Sequence, residues 1–373
     1  MLQPLNWDLC IWHRDDETTK FISEYFPTNN RQVLLIAGAG FDPRSAFLCQ
    51  FLSSVTSNIK AVFVREQRPD PARALLQKAE ANICCLEKAI SNHVIIPIDI
   101  FGSNNAVIGG RNIANAINLQ NLEGISDIVI DITAMSIGTS YPLVRYLFEN
   151  KKGPRNIHLF VMPDAVLDES IIPIAGDIVG PIHGFQGGMQ LDKNASVAKM
   201  WLPQLAFGRL EVLRRIYKSI TPDDTCPIIP FPSSRPRLGD ELGEHYMTEL
   251  ENTWAIDYRN IIYAAEDDPL DLYRTILRID DLRRPIFEKF GGSLLILSPT
   301  GSKILALGAL MAALERDLPV VYLESMGYEY NSEMPKGDTG TGGNVKFTHI
   351  WLDGDAYSSP RIESIKRVAD PYV

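Results

Sequence analysis

The 373-residue chain has few cysteines, and their number and spacing exclude two kinds of stabilisation. It contains five, at Cys10, Cys49, Cys84, Cys85 and Cys226. An odd number of scattered cysteines is too sparse for a disulfide scaffold and lacks the paired spacings of a zinc site. The six histidines also show no metal-ligand spacing. The sequence therefore predicts a protein of a reducing, cytoplasmic environment with no metal site.

Long apolar runs and an excess of positive charge are missing as well. No segment reaches the roughly 18 uninterrupted apolar residues of a membrane span, and the N-terminus lacks a basic region followed by an apolar one. The net charge of −10 argues against the broad basic face that binding to duplex nucleic acid requires. We expect a globular protein with neither of these partners.

What the sequence does contain is a regular alternation of apolar runs and helical segments. Strand-like runs occupy 31–37, 58–66, 93–101, 126–133 and 156–162. Continuous Ile, Val and Leu runs that are separated by helices indicate a mostly parallel sheet covered on both faces. The first half is therefore predicted to be Rossmann-like.

The alternation breaks off and then resumes in the second half. Residues 163–225 contain a glycine-rich stretch, and strand-like runs return at 226–231, 260–265, 291–298, 318–324 and 345–352. We predict an α/β fold with two Rossmann-like, mostly parallel sheets flanked by helices. The expected divisions are a first domain over 1–165, an insertion and bridge over 166–225, and a second domain over 226–373.

The loop Ser298-Pro-Thr-Gly-Ser-Lys303 joins an apolar strand to an alanine- and leucine-rich helix. The backbone N–H groups of a helix N-terminus favour an anion, so Thr300, Gly301, Ser302 and Lys303 are candidate ligand-binding residues. The spacing of a Walker A loop is absent. The alternative is a well-capped helix with a solvated lysine.

The loop Gly38-Ala-Gly-Phe-Asp-Pro-Arg44 follows the first long strand, where nucleotide-binding loops are found in this kind of fold. Gly38, Gly40, Asp42 and Arg44 are candidates there. Glu66 ends the next strand, where an acidic side chain can accept hydrogen bonds from ribose hydroxyls. In the alternative, Asp42 caps the helix and Arg44 pairs with a nearby residue.

Polar residues also follow the strand at 126–133. Asp131 and Thr133 end this strand, and Ser136 and Thr139 lie in the loop and helix start after it. A carboxylate in an apolar strand needs a partner, so Asp131 is either a site residue or a buried structural carboxylate. All four are candidate ligand-binding residues.

Two family resemblances follow from these loops. The Asp131-Ile-Thr133 strand end and the strand, loop and helix around Pro299–Lys303 resemble the Rossmann-fold sensor domains associated with CRISPR systems. That resemblance implies a dimeric sensor of a nucleotide or another anionic small molecule, in prokaryotic antiviral defence. It is the leading expectation from the sequence.

The second resemblance is to class I methyltransferases that carry a Gly-x-Gly-x-Asp-x-Arg loop. Gly38, Gly40, Asp42 and Arg44 match its spacing, and Glu66 matches the acidic strand end. This resemblance implies that the first half binds S-adenosylmethionine and that the second half shapes an acceptor pocket. A non-catalytic scaffold within a larger complex is a third alternative, and a homo-oligomer or a protein partner stays open. The sequence identifies neither the cofactor nor a catalytic residue.

Overall fold

The fold is described from a computed structural model of the chain. It describes residues 7, 9–28, 30–150, 156–187, 197–330 and 346–357. No helix in these ranges is long and apolar enough to cross a membrane.

The helices and strands alternate as the apolar runs predict. The first half contains β1 (Trp12–Arg14), α1 (Asp16–Tyr25), β2 (Val33–Gly38), α2 (Phe47–Val55), β3 (Ile59–Gln67), α3 (Arg73–Ala89), β4 (His93–Asp99), α4 (Gly109–Asn118), β5 (Asp127–Asp131), α5 (Ile137–Glu149), β6 (Asn156–Val161), α6 (Ala165–Ser170) and β7 (Ile171–Pro181). The second half contains β8 (Ala198–Pro203), α7 (Leu210–Ile220), β9 (Asp224–Thr225), β10 (Ile228–Pro230), α8 (Leu238–His245), β11 (Ile262–Ala264), α9 (Pro269–Phe287), β12 (Ser293–Ser298), α10 (Lys303–Arg316), β13 (Val321–Tyr330) and β14 (Thr348–Asp353).

The first sheet has seven strands in the order β4-β3-β2-β5-β6-β14-β1. Its first five strands are parallel, whereas β14 is antiparallel to both of its neighbours. Strands β2, β5 and β6 are buried along their whole length, because helices cover both faces of the parallel part. The strand order reverses between β2 and β5, which makes that position the switch point of a doubly wound sheet.

The second sheet is built around the parallel strands β12, β8 and β9. Parallel bridges from Gln204 to Ile228 and from Leu297 to Val320 extend the pairing on both sides, and β10 pairs with β11 in parallel. Strands β7 and β13 form a long antiparallel ribbon. The predicted fold class, α/β with two Rossmann-like and mostly parallel sheets, is confirmed.

The strand pairing cuts across the predicted domain divisions. Strand β8 lies in the segment expected to be an insertion, yet it pairs with β12 in the middle of the second sheet. Strand β14 lies in the expected second domain and pairs with β6 of the first sheet. The apolar pattern shows that a strand exists but does not show its partner, so the division into 1–165, 166–225 and 226–373 stays a prediction.

One hydrophobic core joins the two sheets. It contains apolar residues of β2 and β5 together with residues of α5, α9, α10 and β12. Helix α10 is buried from Ile304 to Ala313, and the Tyr141 hydroxyl of α5 donates a hydrogen bond to the Ala306 carbonyl of α10. A Cβ at Gly308 would overlap the Pro269 carbonyl oxygen, so glycine allows α9 and α10 to approach each other closely.

Candidate functional site

A cavity of about 750 Å³ opens at the carboxyl ends of the parallel strands. Loops from both sheets line it, as does the β7–β13 ribbon. In a doubly wound sheet, ligands bind outside the carboxyl ends of the strands at the switch point. The cavity occupies that position, between the loop after β2 and the loop after β5.

The loop after β2 is held against the loop after β5. A Cβ at Gly38 would lie 2.7 Å from the Ala134 carbonyl oxygen, which explains why glycine stands there. The side-chain amide of Asn82 donates hydrogen bonds to the carbonyls of Gly40 and Asp42, both at 2.9 Å. A Cβ at Gly40 would meet only the Ala134 oxygen, at 3.9 Å. The backbone at Gly40 is therefore fixed and open to the cavity.

Arg44 is engaged by protein groups. Its guanidinium is 1% exposed and pairs with Asp42 at 2.8 Å and with Asp168 at 2.7 Å. It also donates to the Met162 carbonyl at 3.1 Å. Asp42 accepts the Arg44 backbone N–H at 2.9 Å and caps the short helix that follows. The pair therefore shapes the loop, as in the alternative derived from the sequence.

The carboxylate of Glu66 accepts four hydrogen bonds at the cavity. Its Oε1 accepts hydrogen bonds from the Ser136 backbone N–H at 2.8 Å, the Ser136 hydroxyl at 2.9 Å and the Thr139 hydroxyl. Its Oε2 accepts one hydrogen bond from Arg68 at 2.6 Å. Burial alone would raise the pKa of Glu66, but the Arg68 charge and the hydrogen bonds from Thr139 and Ser136 lower it. Oε2 keeps acceptor capacity for a further donor.

Arg68 joins the two halves of the cavity wall. Its guanidinium pairs with Glu324 of β13 at 2.9 Å as well as with Glu66, and it donates to the Ser325 carbonyl at 3.0 Å. Burial raises the pKa of Glu324 despite the neighbouring Arg68 charge. Arg68 lies just after β3 in sequence, and no motif marks it.

Asp131 lies behind the cavity wall. Its carboxylate accepts the Thr133 backbone N–H at 2.9 Å, and burial raises its pKa to about 6. The Thr133 hydroxyl accepts the Met162 backbone N–H at 2.9 Å. Asp131 therefore has the contacts of a buried structural carboxylate that shapes the loop after β5.

The loop at 298–303 uses most of its polar groups within the protein. The Thr300 hydroxyl donates to the Gln204 carbonyl at 2.6 Å, and the Ser302 hydroxyl caps α10 by accepting the Leu305 N–H at 3.2 Å. The half-buried Lys303 donates to the Met135 carbonyl at 2.5 Å. Burial lowers the pKa of this lysine. The loop is a capped helix start that also ties the second half to the first.

Most of the predicted site residues meet at the cavity. Those that line it are Gly40, Asp42, Arg44, Glu66, Thr133, Ser136, Thr300, Gly301 and Lys303. Gly38, Asp131, Thr139 and Ser302 are not part of the lining. Whether any of them binds a ligand stays a prediction. The described residues contain no group of three or more His, Cys, Asp or Glu side chains that could hold a metal ion.

Four further lining residues carry no mark in the sequence pattern. Arg68, Arg209, Tyr322 and Tyr328 all line the cavity. Two of them are on β13, whose partner strand β7 lies roughly 150 residues earlier in the chain. Residues of β7 are mostly half-buried or exposed, and no local pattern in the sequence places the ribbon over the strand ends.

Comparison with known proteins gives structural neighbours only. No protein-family model matches the chain, and no curated protein matches it. Among solved structures it is similar to the plantazolicin methyltransferase BamL in complex with a triazolic desmethylPZN analog and SAH, at 17% identity and a TM-score of 0.24, covering 41% of this chain and 47% of that one.

Two further structures are also methyltransferases. One is a putative S-adenosylmethionine dependent methyltransferase from Listeria monocytogenes, at 13% identity and a TM-score of 0.21, covering 40% of this chain and 52% of that one. The other is coclaurine N-methyltransferase bound to N-methylheliamine and SAH, at 10% identity and a TM-score of 0.23, covering 93% and 77%. The matches span about half the length of the first two structures.

The leading expectation from the sequence is corrected here. The three solved structures reported above are methyltransferases, and the resemblance to CRISPR-associated sensor domains is not supported. The interpretation as a nucleotide sensor in antiviral defence is wrong on the geometry of the loop that suggested it. The contacts of Lys303 give the physical reason, because the ammonium group that suggested a phosphate site already donates to Met135. The homo-oligomer and the cytoplasmic location stay predictions.

Proposed function

We propose that the protein is a methyltransferase that binds S-adenosylmethionine against the first sheet. The observation that carries this proposal is the position of Glu66. It ends the strand next to β2, lines the same cavity as the open backbone at Gly40, and keeps acceptor capacity on Oε2. A carboxylate at this position of a doubly wound sheet can accept hydrogen bonds from ribose hydroxyls.

The rest of the first-sheet wall fits the cofactor. Asp99 ends the neighbouring strand β4, and its exposed carboxylate lines the cavity. It adds a second hydrogen-bond acceptor to the same wall. Leu75, Leu76 and Ala79 of α3 add apolar surface. The volume of about 750 Å³ is in the range of roughly 300–1,000 Å³ typical of ligand pockets. The cavity has room for a cofactor and a small acceptor together.

The residues of this chain would bind and orient the reactants. The bound cofactor supplies the methyl group. Glu66 would fix the ribose while its contacts to Ser136 keep the loop after β5 beside the cofactor. Residues of the β7–β13 ribbon line the cavity beside the strand ends and would help to hold an acceptor there. Such positioning lowers the activation free energy of methyl transfer by holding the reacting groups together.

Thermal unfolding with and without S-adenosylmethionine tests the proposal. Saturating cofactor should raise the Tm of the wild-type protein, because a ligand that binds only the folded state stabilises it. Glu66→Ala should lose this shift, whereas Glu80→Ala, which alters an exposed carboxylate on α3, should keep it. An unchanged wild-type Tm at saturating cofactor would overturn the proposal and would be the result expected of a scaffold.

A further inference from the structure

The side of the cavity beyond the Arg68–Glu324 pair has a different character. It is formed by the β7–β13 ribbon and the start of α7, and its apolar wall includes Ile171, Ile174, Val212 and Leu323. The Phe41 ring reaches this wall from the loop after β2 and lies 5.4 Å from the Tyr328 ring. This half of the cavity therefore offers an apolar and aromatic surface to a flat or aliphatic body.

Three hydrogen-bond donors on this side lack a protein acceptor. They are the Arg209 guanidinium and the hydroxyls of Tyr322 and Tyr328, all of which line the cavity. Within the described ranges of the chain, none of the three groups makes a hydrogen bond or an ion pair to the protein. All three residues are half-buried. Their polar groups are therefore free to donate hydrogen bonds to a ligand in the cavity.

The charges around these groups show why an anion is the missing partner. Burial raises the pKa of both tyrosines, and the Glu324 charge acts in the same direction, whereas the Arg68 and Arg209 charges lower the pKa of both. Arg209 is therefore within electrostatic reach of both hydroxyls. Glu324 forms an ion pair with Arg68 at 2.9 Å, and no carboxylate in the described part of the chain forms an ion pair with Arg209. The neighbouring cation Arg65 lies on β3, at the cofactor side.

We propose that this half of the cavity binds a methyl acceptor that carries a carboxylate on an apolar, aromatic body. The carboxylate accepts hydrogen bonds from Arg209, Tyr322 and Tyr328, and the body packs against the ribbon. One uncompensated guanidinium matches the single charge of a carboxylate, and arginine binds such a group with two parallel hydrogen bonds. The inference rests on the proposed methyltransferase function, because it assigns the second reactant of that reaction.

Three pairs of probes test it. Benzoate, phenylacetate and indole-3-acetate are each compared with the corresponding neutral amide, by calorimetry with and without saturating SAH. We expect at least one acid to bind the wild-type protein at least tenfold more tightly than its amide. Arg209→Met should remove that preference while leaving SAH affinity within twofold. Lys218→Met, which alters an exposed cation on the same helix, should change neither affinity.

The outcomes separate this inference from the proposed function. Equal binding of acids and amides, no binding of any acid at millimolar concentration, or an acid preference that survives Arg209→Met would overturn the inference. Binding of an acid at Arg209 by a protein that fails to bind SAH would show instead that the anion site exists and that the proposed function is wrong. Tyr322→Phe should weaken binding of the acid several-fold and leave the amide unaffected.

Discussion

The carboxylate of Glu66 accepts the backbone N–H of Ser136 at 2.8 Å. This hydrogen bond joins the end of β3 to the start of α5 across the switch point of the first sheet. It ties together two elements whose residues line the cavity on that side. Several consequences of this arrangement can be measured.

Arg68→Met should strongly destabilise the protein. The substitution leaves Glu66 and Glu324 without the cation that pairs with both. Removing one member of a buried charge network typically costs about 3–5 kcal/mol. The free energy of unfolding from urea titrations measures the effect, with Arg73→Met on the exposed start of α3 as the control. A loss below about 1 kcal/mol would show that the network is not needed for stability.

Gly138→Ala should destabilise the protein through a specific clash. A Cβ at Gly138, in the first turn of α5, would overlap Glu324 Oε2, which Arg68 holds in place. We expect a cost of about 1–3 kcal/mol, and a smaller cost when Glu324 is also changed to Ala. Gly243→Ala in α8 is the matched control, because a Cβ there meets no atom within 4 Å. Equal costs of Gly138→Ala in both backgrounds would rule out the clash as the cause.

Asp131→Asn should stabilise the protein at neutral pH. The pKa of Asp131 is raised to about 6 in the folded state, above its unfolded value near 3.8. Stability is therefore lost as pH rises from about 4 through 6, since the ionised form is disfavoured only in the folded protein. The variant keeps the acceptor for Thr133 and should be about 1–3 kcal/mol more stable at pH 7. Denaturant titrations at pH 4 and pH 7 should show this gain at the higher pH alone.

Three histidines form a hydrogen-bonded row across the first sheet, one on each of β1, β14 and β6. The Nδ1 atoms of His13 and His349 are 2.9 Å apart, His349 Nε2 is 3.0 Å from His158 Nδ1, and His158 Nε2 is 3.3 Å from Asp127. Burial lowers the pKa of all three, and for His349 the neighbouring His158 and His13 lower it further. The row is therefore neutral in the folded protein near pH 7.

The histidine row should make the protein sensitive to acid. Because the folded pKa of His349 lies below 6.5, its contribution to stability is fully present above pH 6.5 and is lost as pH falls. A histidine whose folded pKa lies well below 6.5, as that of His349 does, accounts for about 2 kcal/mol between pH 6.5 and 5. His349→Phe should flatten the dependence of the free energy of unfolding on pH by that amount. The exposed His245 provides a control, and His245→Phe should leave the slope unchanged.

The sequence predicts the fold because its parallel strands are buried on both faces. Residues 33–38 form a continuous apolar run for that reason, and residues 156–161 are also buried throughout although they include Asn156 and His158. The alternation of such strands with helices is enough to indicate two Rossmann-like sheets. The pairing of β14 with β6 and of β13 with β7 could not be predicted in the same way. These contacts join segments roughly 150 to 190 residues apart, and local periodicity carries no information about such partners.

The candidate site was predicted on one wall and missed on the other. Gly40 lies in the loop after one strand and Glu66 ends the next strand, so short sequence patterns are enough to predict that both line the cavity. Arg209 and Tyr322 lie far apart in sequence. Both line the cavity because the β7–β13 ribbon, which contains Tyr322, packs beside the start of α7. Lys303 lines the cavity, and its ammonium group also donates to the Met135 carbonyl, a contact between the two halves of the chain that its place before a helix does not predict.

Calorimetric titration of the wild-type protein with SAH shows whether the first-sheet wall binds the cofactor through Glu66. We expect one binding site per chain, with affinity at least tenfold lower in Glu66→Ala and unchanged within twofold in Glu80→Ala. Absence of binding heat at several temperatures, or equal affinities for the wild-type protein and Glu66→Ala, would contradict it.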